Sequence, residues 1–408
     1  MLKTPKSAAG LSHSQALTAA ESLVQRAKSE PLNDGGVRTS QLLSEALSLD
    51  PHHHAAQVLQ ERLHQMFVPR WHFPMLADQA RNAAYAKAIK AKVKPGDVVL
   101  DIGCGAGLTA MLAARAGAKH VYTCEQQPLI AQAARQVIKD NGLSERITVL
   151  QKWSHDIVVG VDMPEPADLV LSEIVDTVLL GEGALATLTH AMARLAKPNA
   201  RAIPERGVLK AQLVESQKLL DQWQPQQAEG FDLTAFNRLA RVAQITPGDF
   251  ATSALRPLGG TTGLFHFDFA NPRIDPQRTI AQLACSKRGR IQAVLVSFEM
   301  QLAPGVQVEN GLHSDGHWGR TAFLLDTPKT AHPGDYLTVT AQHDAAQLSL
   351  SLHEDEFTSE ASVPAAIWMN QAWSGPHPLK KGHAHSPSPY LPSPYSPEPT
   401  ALSGQALH

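Results

Sequence analysis

The stretch Val98-Val-Leu-Asp-Ile-Gly-Cys-Gly-Ala-Gly107 decides the fold of this chain. Its first five residues predict a short buried strand, and residues 108–118 predict a helix that follows at once. Glycines at such a junction let the backbone approach a ligand, and the helix start offers free N–H groups. A dinucleotide loop usually reads G-x-G-x-x-G, whereas Gly103, Gly105 and Gly107 give G-x-G-x-G. The stretch therefore predicts a cofactor loop that is not built for a diphosphate.

Strand and helix patterns alternate on both sides of this loop, over residues 96–200. The predicted strands are Val98–Ile102, His120–Cys124, Ile147–Leu150 and Ala167–Leu171. Such alternation predicts a parallel sheet with right-handed crossovers. After Pro204 the pattern changes to short segments rich in β-formers, separated by turns such as Pro304-Gly305. That second pattern predicts an antiparallel β domain.

The two ends of the chain differ from this centre. Residues 14–66 predict helices, with a helix end at Leu47-Ser-Leu-Asp-Pro51 that resembles part of a tetratricopeptide repeat. A helical cap on the next domain is the equally weighted alternative. From about Ser374 the chain is rich in Pro, Ser and His, which predicts disorder. We therefore expect four regions, which are 1–64 (helical), 65–204 (parallel sheet), 205–373 (β domain) and 374–408 (disordered tail).

Composition limits the classes of function. The 408 residues carry 36 basic and 38 acidic side chains, a net charge of −2, which does not favour direct nucleic-acid binding. Three widely spaced cysteines favour a reducing compartment, and no apolar run is long enough to span a membrane. His52-His-His54 has no further ligand at metal spacing, so no metal site is predicted. We expect a cytoplasmic protein without a membrane partner.

Glu125 ends the second predicted strand, 22 residues after Gly103. A carboxylate at this place accepts hydrogen bonds from the ribose hydroxyls of a nucleoside. The alternative is a surface acid at a strand end. Trp153 and Ser154, after the third strand, are candidates for the adenine pocket, although Trp153 would serve equally well as a core residue.

Two glutamates, Glu173 and Glu182, lie nine residues apart in the loop after the fourth strand. Ligands of open α/β folds bind at this carboxyl edge of the sheet. Two carboxylates facing one site repel each other unless a cation lies between them. A guanidinium, planar and with five donors, pairs with both at once. Two solvated loop acids are the alternative interpretation.

At this point the chain resembles a known family. The acid-opened G-x-G-x-G loop is similar to that of class I S-adenosylmethionine-dependent methyltransferases. The segment Ser172–Gly183 resembles the double-glutamate loop of protein arginine N-methyltransferases. Three more segments follow the family's order. Met75–Tyr85 resembles its cofactor-covering helix, Ala202–Pro204 its crossing into the β-barrel, and Gly316–Trp318 its threonine-histidine-tryptophan loop. Glycine replaces threonine in the last of these.

The resemblance extends over roughly residues 64–355 and is strongest to the monomethylating and symmetric branches. It implies an α/β fold class: a Rossmann-like methyltransferase sheet followed by an antiparallel β-barrel-like domain, with a short helical N-terminal region. It also implies S-adenosyl-L-methionine as cofactor. The residues implied to bind it are Met75, Arg81, Asp101, Gly103, Gly105, Gly107, Glu125, Trp153 and Ser154, with Arg81 pairing with the cofactor carboxylate and Asp101 orienting the loop or the methionine part.

The resemblance also implies a catalytic set. Glu173 and Glu182 would grip the substrate guanidinium, and His317 with Asp78 would form a dyad that removes a proton or fixes the pocket. Trp318 would wall the arginine channel, with core packing as the alternative. Asp176 stands where the asymmetric branch usually has glycine, so a smaller pocket and mono- or symmetric dimethylation are expected.

The implied partners are an arginine-containing protein or peptide and a second copy of the chain. The family dimerises through an arm, for which residues 217–256 are the candidate, with Leu219-Leu220, Phe231 and Phe236. Two other functions remain open. One is a methyltransferase acting on a small molecule or another side chain, and the other is a non-catalytic cofactor-binding scaffold.

Overall fold

The computed structural model describes residues 12–354 and residue 357, so the predicted tail lies outside the described residues. The chain begins with three helices, α1 His13–Ser29, α2 Val37–Leu49 and α3 His54–Phe67. Their apolar faces pack together around Val24, Leu43 and Ala46, which are fully buried. His53 caps α3 by accepting the Ala56 N–H. The predicted helical N-terminus is confirmed.

A five-stranded parallel sheet follows, in the order β3-β2-β1-β4-β5. Its strands are β1 Val98–Ile102, β2 His120–Cys124, β3 Ile147–Leu150, β4 Ala167–Ser172 and β5 Ala196–Ile203. The helices of this region are α4 His72–Ala77, α5 Gln79–Lys92, α6 Leu108–Arg115, α7 Pro128–Asp140 and α8 Ala184–Arg194. β1 lies in the middle of the sheet and is buried at all five positions. The cofactor loop and the double-glutamate loop, which follow the paired strands β1 and β4, therefore emerge side by side.

The second domain is antiparallel, as predicted. Its strands are β6 Arg206–Glu215, β7 Gln227–Ala228, β8 Phe231–Asp232, β9 Val242–Ile245, β10 Arg256–Pro257, β11 Thr262–Asp268, β12 Gln277–Ala284, β13 Gly289–Ala303, β14 Val306–Glu309, β15 Arg320–Ala331, β16 Tyr336–His343 and β17 Leu348–Leu352. Its helices are α9 Gln217–Trp223, α10 Thr234–Asn237 and α11 Pro247–Phe250. The strands form a seven-stranded sheet, a three-stranded sheet and the β7–β8 hairpin. The predicted fold class is confirmed.

Two features join the domains. The chain crosses from β5 to β6 through the cis peptide bond Ile203–Pro204. A single buried apolar cluster then runs from Tyr85 of α5, through the parallel sheet, to Leu337 of β16. Among the described residues no helix has the length and hydrophobicity to cross a membrane.

The segment predicted as a dimerisation arm divides into two parts. Leu219 and Leu220 of α9 are buried in the β-domain core, and β9 pairs with β15 of the large sheet. Between them, residues 224–241 present Phe231, Phe236 and Leu239 with more than two thirds of their surface exposed (73%, 71% and 72%). The most exposed apolar side chains of the predicted arm lie in this middle part, and Val242 of β9 is less exposed, at 39%.

Candidate active site

The cofactor loop has the left-handed backbone that its glycines predict. Gly103, Gly105 and Gly107 have φ angles of 83°, 50° and 83°. The Gly105 N–H donates to Glu125 Oε2 at 3.2 Å, and the Gln127 N–H donates to Glu125 Oε1 at 2.9 Å. Burial raises the pKa of Glu125, and these two N–H groups oppose the shift. The structure thus places Glu125 against the glycine loop rather than at an open surface.

Asp101 supports the loop from beneath, at the end of β1. It is buried and accepts a 2.7 Å hydrogen bond from the Thr123 hydroxyl. Burial raises the pKa of Asp101 to about 7, against the lowering effect of the hydrogen bonds from Thr123 and Thr109. Its other oxygen, Oδ1, has no hydrogen-bond partner among the described residues. Asp101 therefore offers a carboxyl oxygen for one further donor.

The covering helix α4 adds a residue that sequence reasoning missed. His72 stacks on Trp71 with ring centroids 3.9 Å apart, and its Nδ1 lies 2.9 Å from the Pro69 carbonyl. Its Cδ2 atom would be 3.8 Å from a Cβ built on Gly105, so the ring lies over the glycine loop. A signal was available, because His72 lies three residues before Met75, where the segment that resembles the cofactor-covering helix begins.

Three other predicted cofactor residues differ in burial. Met75 and Ser154 are buried, at 7% and 5% exposure. Trp153 is 56% exposed, so the alternative of a core tryptophan is wrong. Its position directly after β3, beside the buried Ser154, agrees with a place at the rim of the pocket.

His317 and Asp78 lie together, as the dyad requires, although they are 239 residues apart in sequence. Asp78 Oδ2 accepts hydrogen bonds from the His317 backbone N–H and faces His317 Nδ1, both at 3.0 Å. Asp78 also caps α5 by accepting the Arg81 N–H. Burial opposes ionisation of Asp78, but these hydrogen bonds lower its pKa below the ordinary value. Burial lowers the pKa of His317, so the imidazole is neutral near pH 7.

The glycine that replaces the family's threonine has a local explanation. A Cβ on Gly316 would stand 2.9 Å from Asp78 Oδ2. Glycine therefore allows this loop to approach the carboxylate closely. Trp318 is buried. Its ring packs edge-on against the Phe298 ring, with centroids 5.2 Å apart, and its centroid is 4.1 Å from that of the His317 ring. It fills space behind the dyad, so core packing contributes to its role.

Glu173 forms an ion pair with Arg81. Glu173 Oε2 and Arg81 Nη2 are 2.6 Å apart, with side-chain exposures of 7% and 4%. Burial raises the pKa of Glu173, and Arg81 opposes that shift. The Arg81 guanidinium also donates to Asn82 and lies 4.8 Å above the Tyr85 ring. Its Nε atom has no partner among the described residues. Arg81 thus contacts the predicted clamp directly, a link that sequence reasoning missed.

Asp176 folds back onto the loop that carries it. Its Oδ1 accepts from the Val178 N–H at 3.0 Å and from the Leu180 N–H at 3.2 Å. A Cβ on Gly181 would stand 2.5 Å from this carboxylate. The loop also contains two non-glycine residues with left-handed backbone, Leu179 (φ 65°) and Glu182 (φ 57°). Such conformations persist only when neighbouring contacts hold them. Asp176 provides those contacts for the double-glutamate loop.

Glu182 stands at the exposed rim of the same site. Desolvation by the surrounding protein, followed by the charges of Glu173, Asp176 and Glu125, raises its pKa to about 7. No hydrogen bond reaches its carboxylate from the part of the chain that the structure describes. The four acids therefore share one electronegative recess, and Glu182 is its least compensated member.

The parallel sheet, its strand order and the glycine loop define a class I S-adenosylmethionine-dependent methyltransferase. The family described as Ribosomal protein L11 methyltransferase (PrmA) matches residues 84–233. An arginine N(omega)-methyltransferase of Streptomyces achromogenes subsp. streptozoticus is 37% identical over 76% of this chain and 85% of its own length. Protein arginine N-methyltransferase 7 of Danio rerio is 30% identical over 72% of this chain and 47% of its own length. The chain belongs to the arginine methyltransferase family.

The chain spans about half the length of the relatives called protein arginine N-methyltransferase 7. Solved structures agree on the fold. A chain of the Trypanosoma brucei PRMT1 enzyme–prozyme heterotetrameric complex with AdoHcy has a TM-score of 0.62 and 24% identity, covering 71% of this chain and 93% of its own. A PRMT6 structure has a TM-score of 0.53 and 20% identity, covering 69% and 98%.

The residues present fit S-adenosylmethionine. Glu125 offers a carboxylate beside the glycine loop, where it suits ribose hydroxyls, and His72 covers the loop. The unpartnered Arg81 Nε–H suits a carboxylate, and the unpartnered Asp101 oxygen suits an amine. When bound, the cofactor supplies an electrophilic methyl group on a sulfonium centre.

Gly103→Ala is expected to weaken cofactor binding selectively. The residue has a left-handed backbone, and a new Cβ would stand 2.8 Å from Ile174, the neighbour of Glu173. Strain of about 1–3 kcal/mol lowers affinity by roughly tenfold or more if the loop shifts to relieve it. Isothermal titration calorimetry with S-adenosylmethionine measures the change.

Gly160→Ala is the matched control, because Gly160 also has positive φ (91°) but faces open space outside the site. It is expected to lower stability while leaving cofactor affinity within about twofold. Equal affinity losses in the two variants would show that general strain, not the loop, determines binding.

Proposed function

We propose that this protein transfers methyl groups to guanidinium nitrogens of arginine in protein or peptide substrates, and that it stops at mono- or symmetric dimethylation. One observation carries the proposal. Four carboxylates lie near the carboxyl end of the sheet, and the pKa of Glu182 is raised to about 7 by desolvation from the surrounding protein and then by the charges of the other three. Such a recess favours a cation. A guanidinium, which stays charged at all working pH values, fits it.

The two glutamates divide the binding of that cation. Glu173 is held in place by Arg81, which fixes its orientation and opposes the rise in its pKa that burial causes. Glu182 has no such partner among the described residues. The left-handed backbone of its loop sets its position, and its side chain is accessible from solvent. A guanidinium entering the recess pairs with Glu182 and with the second oxygen of Glu173. Both pairs orient one terminal nitrogen and hold charge as it redistributes during transfer.

The Asp78–His317 dyad is suited to take a proton. An ionised Asp78 carboxylate can only accept, so the contact with His317 Nδ1 requires the proton to be on Nδ1. In the neutral ring, Nε2 then carries a lone pair. The methylated nitrogen must lose one proton for the product to remain a singly charged guanidinium. A neutral imidazole near the recess accepts that proton or passes it to solvent.

The product assignment follows from the double-glutamate loop. Asp176 stands where the asymmetric branch of the resembling family usually has glycine, and its carboxylate occupies the space against Gly181. The loop therefore has less room for an arginine that already bears one methyl. Mass spectrometry of the product peptides is expected to show monomethyl- or symmetric dimethylarginine. Asymmetric dimethylarginine as the main product would contradict the assignment.

Free arginine is a second candidate substrate. The relative from Streptomyces, named arginine N(omega)-methyltransferase, aligns with this chain over 85% of its own length. The relative from Danio rerio, which is named as a protein methyltransferase, aligns over 47% of its own length. A direct comparison separates the candidates. Radiolabelled S-adenosylmethionine is supplied with an arginine-containing peptide, the matching lysine peptide or free arginine.

The peptide is expected to be labelled at least tenfold faster than free arginine, with no label on the lysine peptide. Glu182→Gln, which keeps shape but removes charge, is expected to lower kcat/KM by about 100-fold or more, since a charge-assisted pair is lost in a desolvated site. Its cofactor affinity should stay unchanged. Faster labelling of free arginine would assign the small-molecule function, and labelling of neither would refute both.

The apparent KM for the arginine substrate is expected to depend on pH through Glu182. The pKa of this group is raised to about 7, so it is protonated below that value and loses its attraction for the cation. KM should therefore fall as pH rises from 6 to 8, by about tenfold, and then level off. Burial lowers the pKa of His317, so this group is neutral over the upper part of this window, from about pH 7.

The Glu182→Gln variant provides the control for this profile. Its KM should be high and nearly independent of pH between 6 and 8, since the titrating carboxyl is gone. A wild-type KM that is flat over this range, or a slope that survives in Glu182→Gln, would assign the titration to another group.

We further propose that two copies of the chain associate through residues 224–241. The exposed Phe231, Phe236 and Leu239 form an apolar group on this projection.

Phe231→Ser combined with Phe236→Ser is expected to convert a dimer to a monomer in sedimentation velocity and to lower activity. Val161→Ser removes an equally exposed apolar residue (81%) of the first domain and should change neither. A wild-type protein that is active as a monomer would refute the proposal.

A further inference from the structure

Arg320, the first residue of β15, is a buried cation that the mechanism does not use. Only 1% of the residue is exposed, and it is the largest fully buried side chain among the described residues. Burial lowers its pKa to about 10. Its guanidinium carbon lies 3.6 Å from the centroid of the Phe250 ring, which covers one face of the group. Burying a charge is costly unless its donors are satisfied, so its contacts show what it holds.

All the hydrogen bonds of the Arg320 guanidinium to described residues go to backbone carbonyls of one loop, residues 310–318. Nε donates to the Asn310 carbonyl at 3.0 Å, Nη1 to the Trp318 carbonyl at 3.2 Å and Nη2 to the Gly311 carbonyl at 3.1 Å. A further bond joins Nη2 to the Ser314 carbonyl. This loop carries His317 and Trp318. The planar fork of arginine thus fixes the loop at four points along its length.

Asn310 extends the same network to the other catalytic loop. It is fully buried, and its Nδ2 donates to the Thr177 carbonyl at 3.1 Å and to the Gly319 carbonyl at 2.9 Å. Its Oδ1 accepts the Phe298 N–H at 2.6 Å. Thr177 lies within the double-glutamate loop, four residues after Glu173. One short polar chain therefore connects Arg320, Asn310 and the loop that bears both glutamates.

We propose that Arg320 is a positioning residue, which with Asn310 fixes the His317–Trp318 loop of the second domain against the double-glutamate loop of the first. The two loops come from different domains, so their separation depends on contacts between them. The proposal rests on the proposed function for its kinetic consequence, although the tether itself is a structural property. Lysine cannot replace Arg320, since one ammonium cannot reach four carbonyls spread over nine residues.

Hydrogen–deuterium exchange tests the tether without reference to activity. Arg320→Met keeps an apolar side chain of similar length and removes all donors. Amides of residues 310–319 are expected to exchange at least tenfold faster in this variant, while the cofactor loop, residues 101–107, exchanges as in the wild type. Phe250→Leu removes only the ring beneath the guanidinium and should show a smaller increase in exchange in the same loop. It replaces Arg320→Met as the test variant if Arg320→Met does not fold.

Gln292→Leu is the control for general destabilisation. Gln292 is also buried in the β domain, where it accepts the Ser216 N–H and donates to Gln217, but among the described residues no side-chain hydrogen bond joins it to either catalytic loop. Its variant is expected to lower the melting temperature without accelerating exchange in residues 310–319. Unchanged exchange of that loop in Arg320→Met and Phe250→Leu would overturn the tether.

Kinetics test the positioning role. Arg320→Met and Arg320→Lys are expected to lower kcat at least tenfold at a temperature where both are folded, with S-adenosylmethionine affinity within twofold of the wild type. Gln292→Leu should keep its kcat. Equal kcat losses in Gln292→Leu, or wild-type kcat in both Arg320 variants, would refute a positioning role. A wild-type protein without arginine turnover would refute the proposed function, and the exchange result would still decide the tether.

Discussion

The repulsion that three neighbouring carboxylates exert on Glu182 at one edge of a parallel sheet is the constraint on which the site depends. Glu173, Asp176 and Glu125 each raise the pKa of Glu182 in this recess. Each of the first three is compensated by a different means. Backbone N–H groups serve Glu125 and Asp176, and a buried guanidinium serves Glu173. Glu182 alone accepts no hydrogen bond from the described residues. Its negative charge is therefore uncompensated, and the recess favours a cation.

The second domain is required to keep this arrangement in place. Asp78 links the domains, because it caps α5, which carries Arg81, and binds the His317 loop at the same time. Asn310 provides a second link through the Thr177 carbonyl. Any movement of the β domain therefore moves both the dyad and one side of the clamp. The cofactor loop, in contrast, is fixed by contacts within the parallel sheet, such as the Gly103 and Cys104 N–H groups donating to the Cys124 carbonyl.

Much of the fold and of the site could be predicted because it depends on local patterns. Strand β1, the glycine loop and the spacing of Glu173 and Glu182 are visible as short motifs. The structure places Glu125 at the loop and joins His317 to Asp78, as the resemblance implied. What could not be predicted depends on contacts distant in sequence. The pairing of Arg81 with Glu173, and the carbonyls that Arg320 holds, follow from the packing of loops that no local pattern specifies.

Asp176 illustrates how such contacts change an interpretation. As a sequence position it suggests only a larger side chain in a pocket. In the structure its carboxylate accepts N–H groups of its own loop and thereby stabilises the left-handed backbone at Leu179 and Glu182. Replacing it with glycine would therefore loosen the loop as well as remove the side chain that we propose limits the pocket. One side chain thus joins the proposed product limit to the placement of Glu182.

Arg81 belongs both to the proposed cofactor site and to the observed ion pair with Glu173. Its Nη2 donates to Glu173 and its Nη1 donates to Asn82, whereas the buried Nε–H has no partner among the described residues. A planar fork can serve a second carboxylate along this edge without releasing the first. Pairing with a cofactor carboxylate and pairing with Glu173 are therefore compatible. Under the proposed cofactor role of Arg81, its guanidinium charge would be shared between the cofactor carboxylate and Glu173, which would leave more negative charge on Glu173 for the substrate cation.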